Sequence, residues 1–289
     1  MTSVRKTAPL PVKRAGRRAY LRVGTATAPL RLPPEFIVIG AQRCGTTSLF
    51  RALMAHPQIV RPAFHKGINY FDLNYYRGMS WYRGHFPIAE IARRRTARSG
   101  PPAAFEASGY YLYHPFAIER IARELPGVKL VVMLRDPVER AFSAYKHEYA
   151  RGYEWENFEQ ALKLEDERLT GEIERMRRDL SYESFPHRHH SYRHRGHYAD
   201  QLDRVYQHVP PARVHVIESE AFFAQPSLEY QRLLGFLGLR PFGPASFDRY
   251  NARPGEPMAA QVRQSLTEHY RPHDERLARL LGRPPVWAG

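Results

Sequence analysis

Apolar runs and amphipathic segments alternate along most of the chain. The run Glu35–Gly40 is short, β-branched and closed by glycine, which predicts a buried strand. Apolar side chains then recur at helical spacing over residues 46–56, and Pro57 ends that helix. This pattern predicts a strand, a loop and a helix in succession.

The same order returns further along the chain. Lys129–Leu134 has a second buried-strand pattern, and a helix is predicted over 137–150, with Asp136 as its N-cap and Pro137 as its first residue. Other predicted elements are short strands at 69–71, 104–106 and 213–217, and helices at 115–124, 199–208, 227–237 and 258–281. Strands that alternate with helices indicate an α/β fold, a three-layer domain with a central parallel sheet and helices on both faces.

Two segments interrupt this order, and the first is residues 1–34. It holds eight Lys or Arg, no acidic residue and five prolines, so we predict a disordered basic tail, the alternative being an arm that holds an anionic partner. It lacks the apolar core of a secretory signal, and the chain has no run of the roughly 18–20 apolar residues that a membrane span needs. We therefore expect one domain over residues 35–289 and a cytoplasmic protein.

The second interruption is residues 156–197. A charged helical stretch precedes a segment rich in His and Arg, and we predict a basic lid over an anionic ligand, with a solvated loop as the alternative. Its histidines have no carboxylates or cysteines at ligand spacing, so no metal site is predicted. The net charge of +15, from 44 Lys and Arg against 29 Asp and Glu, also favours anionic ligands.

Candidate chemistry is concentrated in the loop 40–48, between the first strand and its helix. Backbone amides and the helix dipole attract an anion at the start of a helix. Gly40 and Gly45 allow a phosphate to approach the backbone, and Arg43 supplies positive charge. The other side chains assigned to this anion site are those of Cys44, Thr46, Thr47 and Ser48.

The loop differs from that of nucleotide triphosphatases, which carry Lys where Thr46 stands here. The cation has moved to Arg43, and Asp136 is better explained as a helix cap than as a magnesium ligand. A nucleotide kinase or NTPase is therefore kept only as an alternative function.

Two segments resemble a known family. Residues 36–48 resemble the 5′-phosphosulfate loop of sulfotransferases that use 3′-phosphoadenylyl sulfate (PAPS), and residues 134–145 resemble their 3′-phosphate segment. The resemblance continues through 66–72 and 195–198 to Trp287 and is closest to the heparan-sulfate-type Golgi enzymes and their bacterial relatives. It implies a P-loop-like fold, sulfuryl transfer from PAPS with release of the 3′,5′-bisphosphate PAP, and no obligatory metal.

The resemblance also implies a cofactor site with two anion-binding parts. The loop around Arg43 would hold the phosphosulfate, and Arg135 with Ser143 would hold the 3′-phosphate. Tyr198 and Arg253 complete the implied set, Arg253 as a clamp over the 3′-phosphate. Ligands of open α/β sheets bind beyond the carboxyl ends of the strands, where both motifs fall.

The predicted catalytic part departs from the family pattern. The family's general base is a glutamate at the position of Gly67, and the family's lysine after Glu106 is also missing. We predict that His65, Glu106 or Asp72, in that order, takes the acceptor's proton, and that Lys66 stabilises the leaving phosphate.

The sequence therefore predicts a PAPS-dependent sulfotransferase that acts on a hydroxyl or amine of a carbohydrate, glycolipid or small molecule. One alternative is a protein that binds PAP without transfer, because Gly67 cannot accept a proton. A nucleic-acid-binding protein fits the charge, but no recognition motif is present.

Overall fold

Five short strands form a parallel sheet in the computed structural model, which describes residues 10–243, 246–247 and 257–288. The strands are β1 (Phe36–Gly40), β2 (Ile59–Val60), β3 (Ala103–Ala107), β4 (Lys129–Leu134) and β5 (Val214–Glu218). Their order across the sheet is β2-β3-β1-β4-β5. β1 and β4 are buried almost throughout, as expected of strands that are covered on both faces.

Helices connect the strands and cover the sheet, which gives the expected three-layer α/β architecture. The helices of the described residues are α1 (Leu10–Ala26), α2 (Thr46–Met54), α3 (Tyr70–Leu73), α4 (Met79–Arg83), α5 (Ala89–Thr96), α6 (Ala117–Glu124), α7 (Pro137–Tyr149), α8 (Phe158–Leu169), α9 (Glu172–Arg178), α10 (Phe185–His189), α11 (Tyr198–His208), α12 (Ser219–Ala224), α13 (Pro226–Leu237) and α14 (Ala260–Leu281).

Both predicted strand–loop–helix units are confirmed, as β1–α2 and β4–α7. β1 and β4 are neighbours in the sheet and run parallel, so the two loops lie at the same edge. Asp136 caps α7 as predicted, because its Oδ1 accepts hydrogen bonds from the amides of Val138, at 2.8 Å, and Glu139, at 3.4 Å.

The predicted strand at 69–71 is wrong, because Tyr70–Leu73 forms the helical turn α3. The phenol oxygen of Tyr111 accepts hydrogen bonds from the amides of Tyr70 and Phe71, which satisfies the start of the turn. A short apolar run does not by itself distinguish a strand from a buried helical turn.

The predicted disordered tail differs most from the structure. Residues 10–26 form α1, and a Cβ added to Gly24 would lie only 2.4 Å from the carbonyl oxygen of Gly84, after α4. The buried guanidinium of Arg31 donates a hydrogen bond to the Phe86 carbonyl at 2.5 Å. These long-range contacts order a segment whose composition suggested disorder. Residues 1–9 lie outside the described part.

The insertion at 156–197 contains α8, α9 and α10, and a second apolar cluster joins it to α7 and α14. His187, His189 and His190 are buried, and their rings bond to Tyr110 Oη, Glu148 Oε2 and Tyr153 O, respectively. The alternative of a solvated loop is therefore wrong for these three histidines. In the described part of the chain, no helix combines the length and the apolar character that crossing a membrane requires.

Candidate active site

A cavity of about 640 Å³ lies at the carboxyl edge of the sheet. Residues that follow β1, β3, β4 and β5 contribute to its walls, as expected for the ligand site of an open α/β sheet. Six Lys or Arg side chains line it against two glutamates, so its charge favours an anion. These eight residues are Arg43, Lys66, Arg135, Lys146, Arg188, Arg195, Glu139 and Glu220.

The loop after β1 is held in a defined shape at one end of the cavity. Gly45 adopts a left-handed conformation (φ 83°), and a Cβ there would lie 3.1 Å from the ring of Phe223. Glycine is therefore required at position 45 for both the backbone conformation and the close packing. The hydroxyl of Ser219 also fixes the loop, because it donates a hydrogen bond to the Cys44 carbonyl at 2.5 Å. The loop leads directly into α2, whose first residues, Thr46 and Thr47, line the cavity.

Lys66 places a cation at the start of α2. Its Nζ donates to Thr46 Oγ1 at 2.8 Å and lies 3.5 Å from Thr47 Oγ1. Burial lowers the pKa of Lys66 to about 7, because a buried ammonium loses its hydration. An anion beside Nζ would supply the missing compensation. Lys66 is the one of our four catalytic candidates that lines the cavity.

Arg43 connects the two predicted anion sites. Its Nε donates to Ser143 Oγ on α7 at 3.1 Å, and Arg135 Nη1 approaches the Arg43 carbonyl at 3.4 Å. Arg135 also pairs with Glu139 at 3.7 Å, with both side chains about one-third exposed. The structure therefore brings Arg43, Arg135 and Ser143 together on one wall, with Arg43 reaching towards the predicted 3′-phosphate site.

Three residues that we assigned to cofactor binding lie behind this wall. Cys44, Ser48 and Tyr198 are buried and do not line the cavity. The Tyr198 hydroxyl donates to the Arg135 carbonyl at 2.9 Å and lies 3.6 Å from Cys44 Sγ, so it ties the two loops together. Burial raises the pKa of Cys44 to about 11, which keeps the thiol protonated. Arg253 lies outside the described residues.

Three catalytic candidates, His65, Asp72 and Glu106, lie outside the cavity lining. For Glu106 the hydrogen bonds show the reason. Its fully buried carboxylate accepts hydrogen bonds from the Ile68 amide (2.8 Å), the Ser108 hydroxyl (2.8 Å) and the Tyr111 hydroxyl (3.0 Å). Burial raises its pKa, although these three donors oppose that shift. Glu106 thus anchors the segment that carries Lys66.

Asp72 and His65 are separated from the cavity in different ways. Asp72 is buried, and burial raises its pKa to about 7, while its Oδ1 accepts from the Leu73 amide at 2.6 Å. His65 is exposed on the side of α1, and partial burial and the positive charge of Arg17 lower its pKa. The geometry therefore does not bring our candidate bases to the reacting region.

Gly67 lies in the cavity wall, where a side chain has little space. A Cβ at this position would lie 2.6 Å from Ser108 Oγ and 2.7 Å from the Ala107 carbonyl oxygen. Such contacts are too short, so the end of β3 would have to move. The position at which the resemblance implies a glutamate therefore has no room for a side chain unless its neighbours shift.

Sequence reasoning missed several lining residues. Glu139, Lys146 and His147 line the cavity beside Ser143, and all four lie on α7. Their spacing of i, i+4, i+7 and i+8 marks one helix face, a signal that was present in the sequence. Arg188 and Arg195 come from the insertion, and no local pattern indicates that they reach the cavity.

Comparison with known proteins identifies the family. The family described as "Sulfotransferase domain" matches residues 33–253. Human bifunctional heparan sulfate N-deacetylase/N-sulfotransferase 3 is 27% identical over 88% of this chain, which spans 31% of the length of that protein. The membrane-associated sulfotransferase kil1 of Dictyostelium discoideum is 26% identical over 88% of this chain and 66% of its own length.

A solved structure agrees with these matches. The sulfotransferase from Alicyclobacillus acidocaldarius is 30% identical and superimposes with a TM-score of 0.64, covering 87% of this chain and 97% of that one. The fold, the positive cavity at the strand ends and the match over residues 33–253 lead to one conclusion. The chain belongs to the PAPS-dependent sulfotransferase family.

Proposed function

We propose that this chain transfers the sulfuryl group of PAPS to a hydroxyl or amine and releases PAP. The observation that carries the proposal is a single cavity with two groups of anion-binding side chains. The first group is Thr46, at the start of α2, with the ammonium of Lys66 beside it. The second group is Arg135, just before α7, and Ser143, on α7. PAPS has a phosphosulfate and a separate 3′-phosphate, and charge-assisted hydrogen bonds of about 1.5–3 kcal/mol would hold each group.

Transfer requires a bond from the acceptor to sulfur while the bond between sulfur and the bridging phosphate oxygen breaks. The electron pair of the broken bond remains on PAP as a negative charge. Lys66 at the start of α2 is suitably placed to stabilise that charge, because its ammonium and the helix N-terminus act together. The acceptor's proton must leave to a base.

We assign the base to a lining residue instead of to His65, Glu106 or Asp72. His147 lines the same cavity one helical turn beyond Ser143, and an imidazole is the commonest acid–base group in enzymes, so this assignment requires the acceptor to lie between Lys66 and α7. Of the two lining glutamates, Glu139 pairs with two arginines, and Oε1 of Glu220 accepts a hydrogen bond from the Asp136 amide at 3.1 Å.

The acceptor side is proposed from the insertion. Arg195 is fully buried, donates to the carbonyls of His187 and Arg188 at 2.9 Å, and lies over the rings of Tyr110 and Tyr113. Arg188 and Arg195 are the residues of 156–197 that line the cavity, which supports the proposal of a basic lid. The names of the heparan sulfate relatives support a carbohydrate acceptor. A cytoplasmic location stays a prediction.

A second candidate function is PAP binding without transfer. Two observations favour it: the family's base is missing at Gly67, and the carboxylate of Glu106 is hydrogen-bonded within the fold to Ile68, Ser108 and Tyr111. The nucleotide kinase alternative has lost its support, because Asp136 caps α7.

The test is an incubation of the chain with PAPS and a panel of acceptors, analysed by mass spectrometry. The panel contains oligosaccharides with free amines, the same oligosaccharides with acetylated amines, a glycolipid and a phenol. A sulfated product together with an equal amount of PAP is the expected result. PAP binding without any product would favour the second candidate, and absence of both would overturn the proposal.

A further inference from the structure

Three histidines form a cluster outside the cavity lining, next to the start of α11. His197 precedes α11, and His269 and His273 lie one turn apart on α14. One ring nitrogen from each lies within 4.8 Å of the others, and all three residues are half-buried. His197 Nε2 and His269 Nε2 are 2.8 Å apart, and the rings of His197 and His273 are stacked at 3.8 Å.

We propose that His197, His269 and His273 form a zinc-binding site that fastens α14 to the start of α11. Imidazole nitrogens are good ligands for Zn²⁺, and three of them leave one coordination position for water. Zinc–nitrogen bonds of about 2.0–2.1 Å place two nitrogens of a tetrahedral site roughly 3.3–3.4 Å apart. The 2.8 Å between His197 Nε2 and His269 Nε2 is about 0.5 Å shorter than that value, so metal binding would require these two rings to move apart slightly and the His273 ring to rotate out of its stack.

The surrounding charges permit a cation. Arg193 lies near this cluster, but its guanidinium pairs with Asp166 at 2.6 Å. Arg276, near His273, pairs with Asp200 at 2.5 Å and also with Asp203. Both arginines are thus paired with carboxylates, Asp166 also contacts His194 at 2.7 Å, and partial exposure of the three histidines gives the ion a path from solvent.

The position of the site gives it a structural consequence. Pro272 lies inside α14 between the two histidines of that helix, and proline removes one helical hydrogen bond. A metal held at residues 269 and 273 would brace the helix at this weak point. The third ligand, His197, is adjacent to Tyr198, whose hydroxyl holds the Arg135 loop of the cavity. The ion would therefore stabilise the wall of the cofactor site without touching the cofactor.

The experiment uses the full chain without an affinity tag, stripped of metal and dialysed against Zn²⁺. We expect one zinc per chain and a higher melting temperature with zinc. The double variant His269→Ala/His273→Ala should lose at least about tenfold in zinc affinity and lose the thermal shift. His208→Ala, an exposed histidine on the last turn of α11, is the matched control and should behave as the unmodified chain.

A second measurement keeps the proposal testable if the double variant does not fold. Co²⁺ added to the unmodified chain should give the strong visible absorption of a tetrahedral site with nitrogen ligands. A spectrum like that of aqueous Co²⁺, or zinc affinity that is unchanged in a folded double variant, would overturn the proposal. None of the three histidines lines the cavity, so failure here would leave the proposed sulfuryl transfer unaffected.

Discussion

The two ends of the cavity are built in different ways. At the cofactor end, two continuous segments, 40–48 and 135–143, supply the anion-binding groups, and buried residues such as Tyr198 and Ser219 hold them together. At the proposed acceptor end, the lining residues come from β3, α7 and the insertion, and Gly67 stands where the family carries its base. The proposed cofactor end keeps both of the segments that resemble the family, whereas the proposed acceptor end lacks the glutamate that the family carries at the position of Gly67. The difference indicates that binding and transfer can be separated by mutation.

The largest effect should come from Lys66→Ala, which removes the cation at the point where the leaving oxygen becomes charged. We expect turnover to fall by about 10²–10³-fold, while PAP affinity falls much less. Single-turnover kinetics and calorimetry on the same preparation measure both quantities. The control is Lys163→Ala, because Lys163 is exposed and forms an ion pair with Glu159 outside the cavity lining. Equal losses in turnover and affinity would show that Lys66 serves binding alone.

The next effect distinguishes His147, the base that we now propose, from His65, the first candidate from the sequence. His147→Ala should lower turnover by roughly 10²-fold and remove an ionisation from the pH–rate profile, because its imidazole would no longer take the acceptor's proton. His65→Ala should leave turnover nearly unchanged, since His65 is exposed outside the cavity lining. The opposite result would restore our sequence-based assignment of His65.

At the cofactor end, Arg135→Ala and Ser143→Ala should each lower the affinity for PAP by about tenfold to a hundredfold. The affinity for adenosine 5′-phosphosulfate, which lacks the 3′-phosphate, should barely change. Arg43→Ala should lower the affinity for both ligands, because the Arg43 side chain extends from the loop to Ser143. Calorimetry with the two ligands measures these losses. Equal losses for both ligands in the Arg135 variant would mean that Arg135 supports the fold and not the phosphate.

The smallest effect is a pH dependence of PAP affinity. Burial lowers the pKa of Lys66 to about 7 in the empty cavity, and a bound anion would raise it. Binding then takes up part of a proton above about pH 7, so affinity should fall by no more than about tenfold in total between pH 7 and 9. Lys66→Arg should flatten this dependence, because Arg stays charged. The same slope in both proteins would contradict the assignment.

The sequence predicted most of the structure wherever the signal was local. β1–α2 and β4–α7 were found because a buried apolar run, a turn and a helix cap lie within about twenty residues in each case. The same continuity placed Arg43, Thr46, Arg135 and Ser143 in one site.

What the sequence did not predict depends on contacts between distant residues. Gly24 of α1 packs closely against Gly84, and Arg31, after α1, donates a hydrogen bond to the Phe86 carbonyl; the composition of the segment predicts neither contact. Glu106 looked like a base because an acidic residue near a motif is chemically competent. Only the fold shows that Ile68, Ser108 and Tyr111 occupy its oxygen atoms.

The central claim is that two anion sites of one cofactor meet in a single cavity, and PAP binding tests it most directly. Calorimetry on the unmodified chain, without added metal, should show one PAP per chain, bound more tightly than adenosine 5′-phosphosulfate because PAP engages both sites. ATP with Mg²⁺ should not displace PAP at equal concentration. No detectable PAP binding, or equal affinity for the two ligands, would contradict the account.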